Sequence, residues 1–261
     1  MPIGLITDFG AKDWRLPNLK GTIYTTFPNA RVIDISHEVP TFDIETGAFL
    51  LYVSSKAFPE EMVFVSVIDP GSSSKRYLVL TTSKEQIFVL PDNGLLTYII
   101  QDTTIKSLYE ITNEELFTQP VEELSTHQIL GKIGALVASG YSPEDVGASV
   151  SDPVTLEVQE ASITDNRLAG AVIFIDDYGN CLTNISRDQI SEFGLQQGDM
   201  VNIETSKGTV EVMFGSTYGD VSTGDPVVFI NRLGFLQLSL NMDDFSEVYN
   251  IQIGTDIHIQ D

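Results

Sequence analysis

Hydrophobic and polar positions change rhythm near the middle of this 261-residue chain. In the first half, short apolar runs alternate with segments of helical period. Residues 2–7 read as a strand ending in Asp8-Phe9-Gly10, and 31–35 as a second strand. Residues 43–56 predict a helix with Asp43 near its N-terminus. Residues 62–68 are nearly all apolar and valine-rich, as suits a strand buried on both faces of a parallel sheet. Strands follow at 77–82 and 86–90, and a helix at 129–139 ends at Gly140. The alternation predicts an α/β layered domain with a largely parallel sheet.

The second half reads as short strands at 169–175, 200–204, 208–214, 226–230, 235–240 and 251–259, with one helix at 186–193. Turn signals such as Thr223-Gly224-Asp225-Pro226 and Leu233-Gly234 separate them. This spacing predicts a smaller β-rich domain, an antiparallel barrel or sandwich. The connection around Asp152-Pro153 has few large apolar residues. The expected division is an α/β N-terminal domain over 1–150, a linker over 151–160 and a β-rich C-terminal domain over 161–261.

Composition narrows the function classes. The net charge is −23, and 16 acidic against 4 basic side chains lie in 160–261, so both halves are acidic. Such a field repels polyanions, which argues against nucleic acid or an anionic membrane as partner, while a cationic ligand finds it favourable. Residues 1–9 lack the features of a secretory signal, and no apolar run is long enough to span a membrane. A cytoplasmic location is expected. The single cysteine, Cys181, excludes an intrachain disulfide, and three histidines (His37, His127, His258) without metal-ligand spacing predict no metal site.

Candidate chemistry lies at strand ends. Asp8 and Asp69 each follow a predicted buried strand, where open α/β sheets place their ligand crevice. The turn after Asp69 can bring Arg76 back over it. Asp92-Asn93-Gly94 follows another strand, and Asp176-Asp177-Tyr178-Gly179-Asn180 combines carboxylate, aromatic and amide groups. Each of these is equally at home in a turn.

Taken in order, the motifs resemble those of the S-adenosylmethionine hydroxide adenosyltransferases, relatives of fluorinase and chlorinase. The matching segments are Thr7-Asp8-Phe9-Gly10 with Asp13 and Lys20-Gly21; 32–40, with Ser36-His37 at its centre; Phe58-Pro59 with 67–71 and Arg76; 91–96; Asp176 to Asn180 with Thr183-Asn184-Ile185; and 231–241. The resemblance implies an α/β N-terminal and a β-rich C-terminal domain in a homotrimer, each active site lying between subunits. It implies a catalytic set of Asp69, Arg76 and His127. It gives Asp8 to the ribose, Asp176 to the methionine amine, Tyr178 and Asn180 to adenine, and puts Phe42 near the sugar. Asn93 and Asn241 fall in matched segments and count with the substrate-binding residues. Arg232 and Leu233 replace a family serine pair, and Arg232 suits the methionine carboxylate.

The activity so implied is hydrolysis of S-adenosylmethionine to adenosine and methionine by in-line attack of water or hydroxide on C5′, without a cofactor. The sulfonium is an activated leaving group, so the demand on the protein is to place and activate the water. Halogenation by the same fold, or binding of S-adenosylmethionine or adenosine without turnover, are the alternatives.

Overall fold

The computed structural model describes residues 1–68, 76–164, 167–205 and 208–260. The chain forms two compact units, Met1–Leu156 and Glu157–Asp261. No helix among the described residues is long and apolar enough to cross a membrane.

The first unit is built on a six-stranded sheet of β1 (Ile3–Thr7), β2 (Val32–Ser36), β3 (Val63–Val67), β4 (Tyr77–Thr82), β5 (Ile87–Pro91) and β6 (Ile105–Glu110), in the order β2-β1-β3-β5-β4-β6. The first four in that order run parallel, and β4 and β6 are antiparallel additions. β1, β3, β4 and β5 are buried along their whole length, as expected where helices cover both faces. On one face α1 (Arg15–Thr26) and α4 (Thr126–Ala138) bury Leu19, Ile23, Ile129 and Ile133 against Leu5, Val65 and Val89. On the other, α2 (Ile44–Ala57) and α3 (Thr97–Asp102) pack Leu51 and Ile99 over Phe64 and Phe88, whose rings stack at 5.0 Å. α4 lies close on β3 because Gly134 faces Val65, where a Cβ would collide with the valine.

The second unit contains β7 (Ser162–Thr164), β8 (Arg167–Ile175), β9 (Cys181–Ser186), α5 (Arg187–Phe193), β10 (Met200–Thr205), β11 (Gly208–Phe214), β12 (Pro226–Ile230), β13 (Phe235–Leu240), α6 (Phe245–Tyr249) and β14 (Asp256–Gln260). Seven strands close a barrel in the order β14-β10-β11-β12-β13-β9-β8, with β8 returning to β14 through the Arg167–Gln260 register; β7 extends the edge of β8. All pairings are antiparallel except β11 with β12. Val172, Ile203, Val212, Val228, Leu238 and Ile257 fill the interior. α5 starts on a capping box: the Ser186 N–H donates to Gln189 Oε1 at 2.9 Å and the Gln189 N–H to Ser186 Oγ at 3.3 Å.

Sequence pattern and structure differ in identifiable places. α1, with Pro17 in its first turn, is absent from the pattern reading, as are α3, β6, β7, β9 and α6. The strand expected over 251–259 begins only at Asp256, because Asn250 adopts a left-handed conformation and Gln252 and Thr255 close a turn. α4 starts at Thr126 rather than 129, which places His127 in its first turn.

Candidate active site

The parallel order brings the C-terminal ends of β1, β3 and β5 to one edge of the sheet. β4, antiparallel to β5, sets its first residue opposite the last of β5, so Tyr77 pairs with Pro91. Asp8, Arg76, Asp92 and Asn93 therefore share this edge. Asn93 donates from Nδ2 to the Ile68 carbonyl at 3.0 Å, tying the ends of β5 and β3. Asp8 Oδ2 accepts the Phe42 N–H at 3.2 Å. Phe42 has φ +68° and its side chain is 70% exposed. Asp69 and the three serines at 72–74 lie outside the described residues.

Arg76 is surrounded by carboxylates. It contacts Asp92 Oδ2 at 3.0 Å, donates from Nε to Glu110 Oε2 at 3.2 Å and from Nη2 to Asp152 Oδ1 at 2.7 Å. The Asp152 bond is the largest cause raising its pKa above the ordinary value, with Asp92 and Glu110 acting in the same sense. The Asp92 side chain is only 2% exposed, and its Oδ1 accepts the Val154 N–H at 2.8 Å. Together with the Leu156 N–H on Thr97 Oγ1, these bonds hold the 152–156 segment on the α/β unit.

His127 is 5% exposed. Its Nε2 lies 3.0 Å from Asn18 Oδ1 and 3.1 Å from Ser125 Oγ, and the edges of Phe9 and Trp14 meet its ring at 6.0 and 5.8 Å. Burial, then the nearby Arg15 cation, lower its pKa from 6.5, with Asp13 opposing. The imidazole is therefore neutral at pH 7, which leaves one nitrogen able to accept a proton. The Tyr77 hydroxyl shares a 2.9 Å hydrogen bond with Thr126 Oγ1, coupling the residue after Arg76 to the residue before His127. The start of α4 thus reaches the same edge of the sheet as the start of β4.

A third group braces the loop after β1. Thr7 Oγ1 is 3.0 Å from His37 Nδ1, and the His37 carbonyl accepts the Gly10 N–H at 2.7 Å. His37 Nε2 lies 3.0 Å from Asp34, which also accepts from Lys20 at 2.7 Å.

The barrel unit has its own cleft, of about 540 Å³. Asp176, Arg232, Tyr218 and Gln237 line it, placing an anion and a cation in one recess. Asp176 Oδ1 accepts the N–H groups of Tyr178 at 2.9 Å and Asn180 at 3.0 Å, and Asn180 Nδ2 donates to Oδ2 at 2.8 Å. This local clamp leaves Tyr178 81% exposed at the tip of the turn and buries Asn180. Gln237 Nε2 donates to the Tyr218 hydroxyl at 2.8 Å. Asn241 is outside the recess: its Nδ2 donates to the Val221 carbonyl at 2.9 Å, holding the end of β13.

Residues 3–147 match the model of the SAM hydroxide adenosyltransferase N-terminal domain, and 170–258 match that of the C-terminal domain. The chain belongs to the SAM hydroxide adenosyltransferase family. It is 30% identical to an (R)-S-adenosyl-L-methionine hydrolase of Methanocaldococcus jannaschii, over 98% of this chain and 95% of that one. Similarity to a fluorinase of an Actinoplanes species is 24% identity over 98% and 96%. A conserved protein of Thermotoga maritima has the same fold, with a TM-score of 0.93 and 31% identity over 99% of this chain and 100% of that one.

Sequence motifs indicated Arg76 and His127 but not the side chains that hold them. Asn18, Glu110, Ser125 and Asp152 carry no motif of their own. Asp34 and His37 stand in a matched segment, three residues apart, yet only the structure joins them to Thr7.

Proposed function

We propose that this chain hydrolyses S-adenosylmethionine to adenosine and methionine. The observation that carries the reading is His127, a buried neutral imidazole at the edge of the sheet where Asp8 and Arg76 also lie. An oxygen–C5′ bond forms as the C5′–sulfur bond breaks, and the sulfur keeps the electron pair as the thioether of methionine. The water gives up one proton, which the imidazole accepts. The sulfonium leaves as a neutral thioether, so the reading requires neither acid nor metal at the leaving group. Asp69 is proposed to orient the water with His127, and Arg76 to complete the catalytic set.

Substrate contacts follow the two clefts. Asp8, Phe42 and Asn93 serve the ribose side, and Tyr178 and Asn180 the adenine. Asp176 and Arg232 complement the amino and carboxylate ends of methionine, with Asn241 holding the end of β13, the strand that follows Arg232. We further propose a homotrimer in which the α/β unit of one subunit and the barrel of the next complete each active site. The exposed rings of Phe42 and Tyr178 supply apolar surface for such an assembly.

Hydrolysis is favoured over halogenation by the setting of Arg76. Three carboxylates offset its single charge, and a field of that sign repels a halide. Incubating the purified protein with S-adenosylmethionine, with and without fluoride or chloride, tests the reading by chromatography. Adenosine and methionine in equal amounts are expected, at a rate unchanged by chelator. A halogenated nucleoside, or tight ligand retention without product, would overturn it. Light scattering tests the trimer.

A further inference from the structure

The hydrogens around His127 can be assigned. The Ser125 hydroxyl donates its one hydrogen to Gln128 Oε1 at 2.8 Å, so it can only accept from the imidazole. Asn18 presents its carbonyl oxygen, which also can only accept. Both acceptors face the same ring nitrogen, Nε2, at 3.1 and 3.0 Å. In the neutral ring the hydrogen must then sit on Nε2, and the lone pair on Nδ1. Phe9 and Trp14 fix the ring plane through their edge contacts. Asn18 comes from α1, 109 residues away in sequence, so its placement depends on the packing of α1 beside α4.

We propose that Asn18 is a positioning residue that, with Ser125, holds His127 as the Nε2–H tautomer and thereby assigns proton acceptance to Nδ1. This rests on the hydrolytic reading only for the last step; the tautomer stands on the geometry. The charged groups facing the ring are Arg15 from α1 and Asp13 from the turn before it, and neither bonds to Nε2. Asn18→Asp keeps the shape and puts a carboxylate against Nε2–H. An opposite charge at this range raises a histidine pKa by about 1–3 units, less where solvent screens it. The active form is the neutral one, so the acidic limb of the rate profile should move to higher pH by about one unit.

The ring signals of His127 in a two-dimensional NMR spectrum, assigned with His127→Gln, report tautomer and titration without any turnover. The native protein should show the Nε2–H form. Asn18→Asp should raise the ring pKa, with the limb of kcat following it, while Asn18→Ala should lower kcat and loosen the tautomer preference. An Nδ1–H ring in the native protein would overturn the proposal. So would an unmoved rate limb in Asn18→Asp alongside a shifted ring pKa. If the native protein forms no adenosine, the hydrolytic reading fails, and the NMR signals still decide whether Asn18 sets the tautomer.

Discussion

Around the α/β crevice, side chains meet across long stretches of sequence; at the tip of the barrel turn they bond to near neighbours. Arg76 and Asp152 are 76 residues apart, and His127 and Asn18 are 109 apart. The Asp176 side chain bonds to Tyr178 and Asn180, two and four residues on. The crevice geometry therefore exists only once the layers have packed, and it is as rigid as they are. The side-chain bonds of the barrel turn are local, and a backbone bond from the Ser246 N–H to the Gly179 carbonyl at 3.1 Å ties the turn to α6. The difference suits the proposed division of labour, in which Arg76 and His127 are fixed by the whole α/β unit and the groups proposed for adenine lie in a short turn.

The largest effect should come from the crevice. His127→Gln removes the proposed proton acceptor while retaining a polar side chain of similar size, and turnover should fall about 10²–10⁴-fold. Affinity for S-adenosylmethionine, measured by calorimetry, should change far less. If turnover is retained, the crevice is a packing feature and the contrast with the barrel collapses.

Next in size is the stability of the crevice. Arg76→Met strands Asp92, a buried carboxylate, without its cation. Breaking such a pair costs about 2–3 kcal/mol here, at or below the low end of the usual range because the guanidinium is partly solvated. Urea unfolding should show this loss, and Asp152→Ala, at an exposed partner, should show no resolvable one. Equal losses would mean that the surface bond, not the buried one, anchors Arg76.

A smaller change is expected in the barrel cleft. Arg232→Ala should weaken methionine binding about tenfold, the low end for a charge-assisted bond at an exposed site, with kcat nearly unchanged. A fall in kcat without loss of affinity would erase the distinction between the two regions.

The smallest effect concerns pH. His127 titrates below its ordinary value of 6.5 through burial and Arg15, so the rate should be flat near neutrality and fall only in acid. Arg15→Gln should raise that limb by less than about one pH unit, since Arg15 is exposed. Stability has the same sign. The unfolded chain binds a proton at His127 before the folded protein does, so this contribution is present above pH 6.5 and lost as pH falls towards the lower folded value. A limb that moves to lower pH in Arg15→Gln would contradict the account.

What was legible in the sequence follows the same divide. β3 announced itself because every position from Val63 to Val67 is buried, and the barrel strands because turn residues punctuate them. α1 was not legible: its buried residues are Leu16, Leu19 and Ile23, Pro17 stands in its first turn, and the carboxylate at its start, Asp13, lies before the helix, where it accepts the Arg15 N–H. β6 is an edge strand whose first two residues are exposed, which hides its period. β9 carries the Thr183-Asn184-Ile185 motif, which drew attention as chemistry rather than as a strand. Within the crevice, Arg76 and His127 were visible through motifs, whereas Asn18 and Asp152 acquire meaning only from tertiary packing.

Phe42 carries a consequence for anyone seeking a hardier version of this protein. A bulky side chain at φ +68° holds about 1–3 kcal/mol of backbone strain, and a ring 70% open to solvent returns little of it through the core. A search guided by thermal stability alone would replace it with glycine among its first choices. Such a campaign would discard the aromatic ring proposed to serve the ribose side, so a gain in melting temperature at this position is a warning rather than a success.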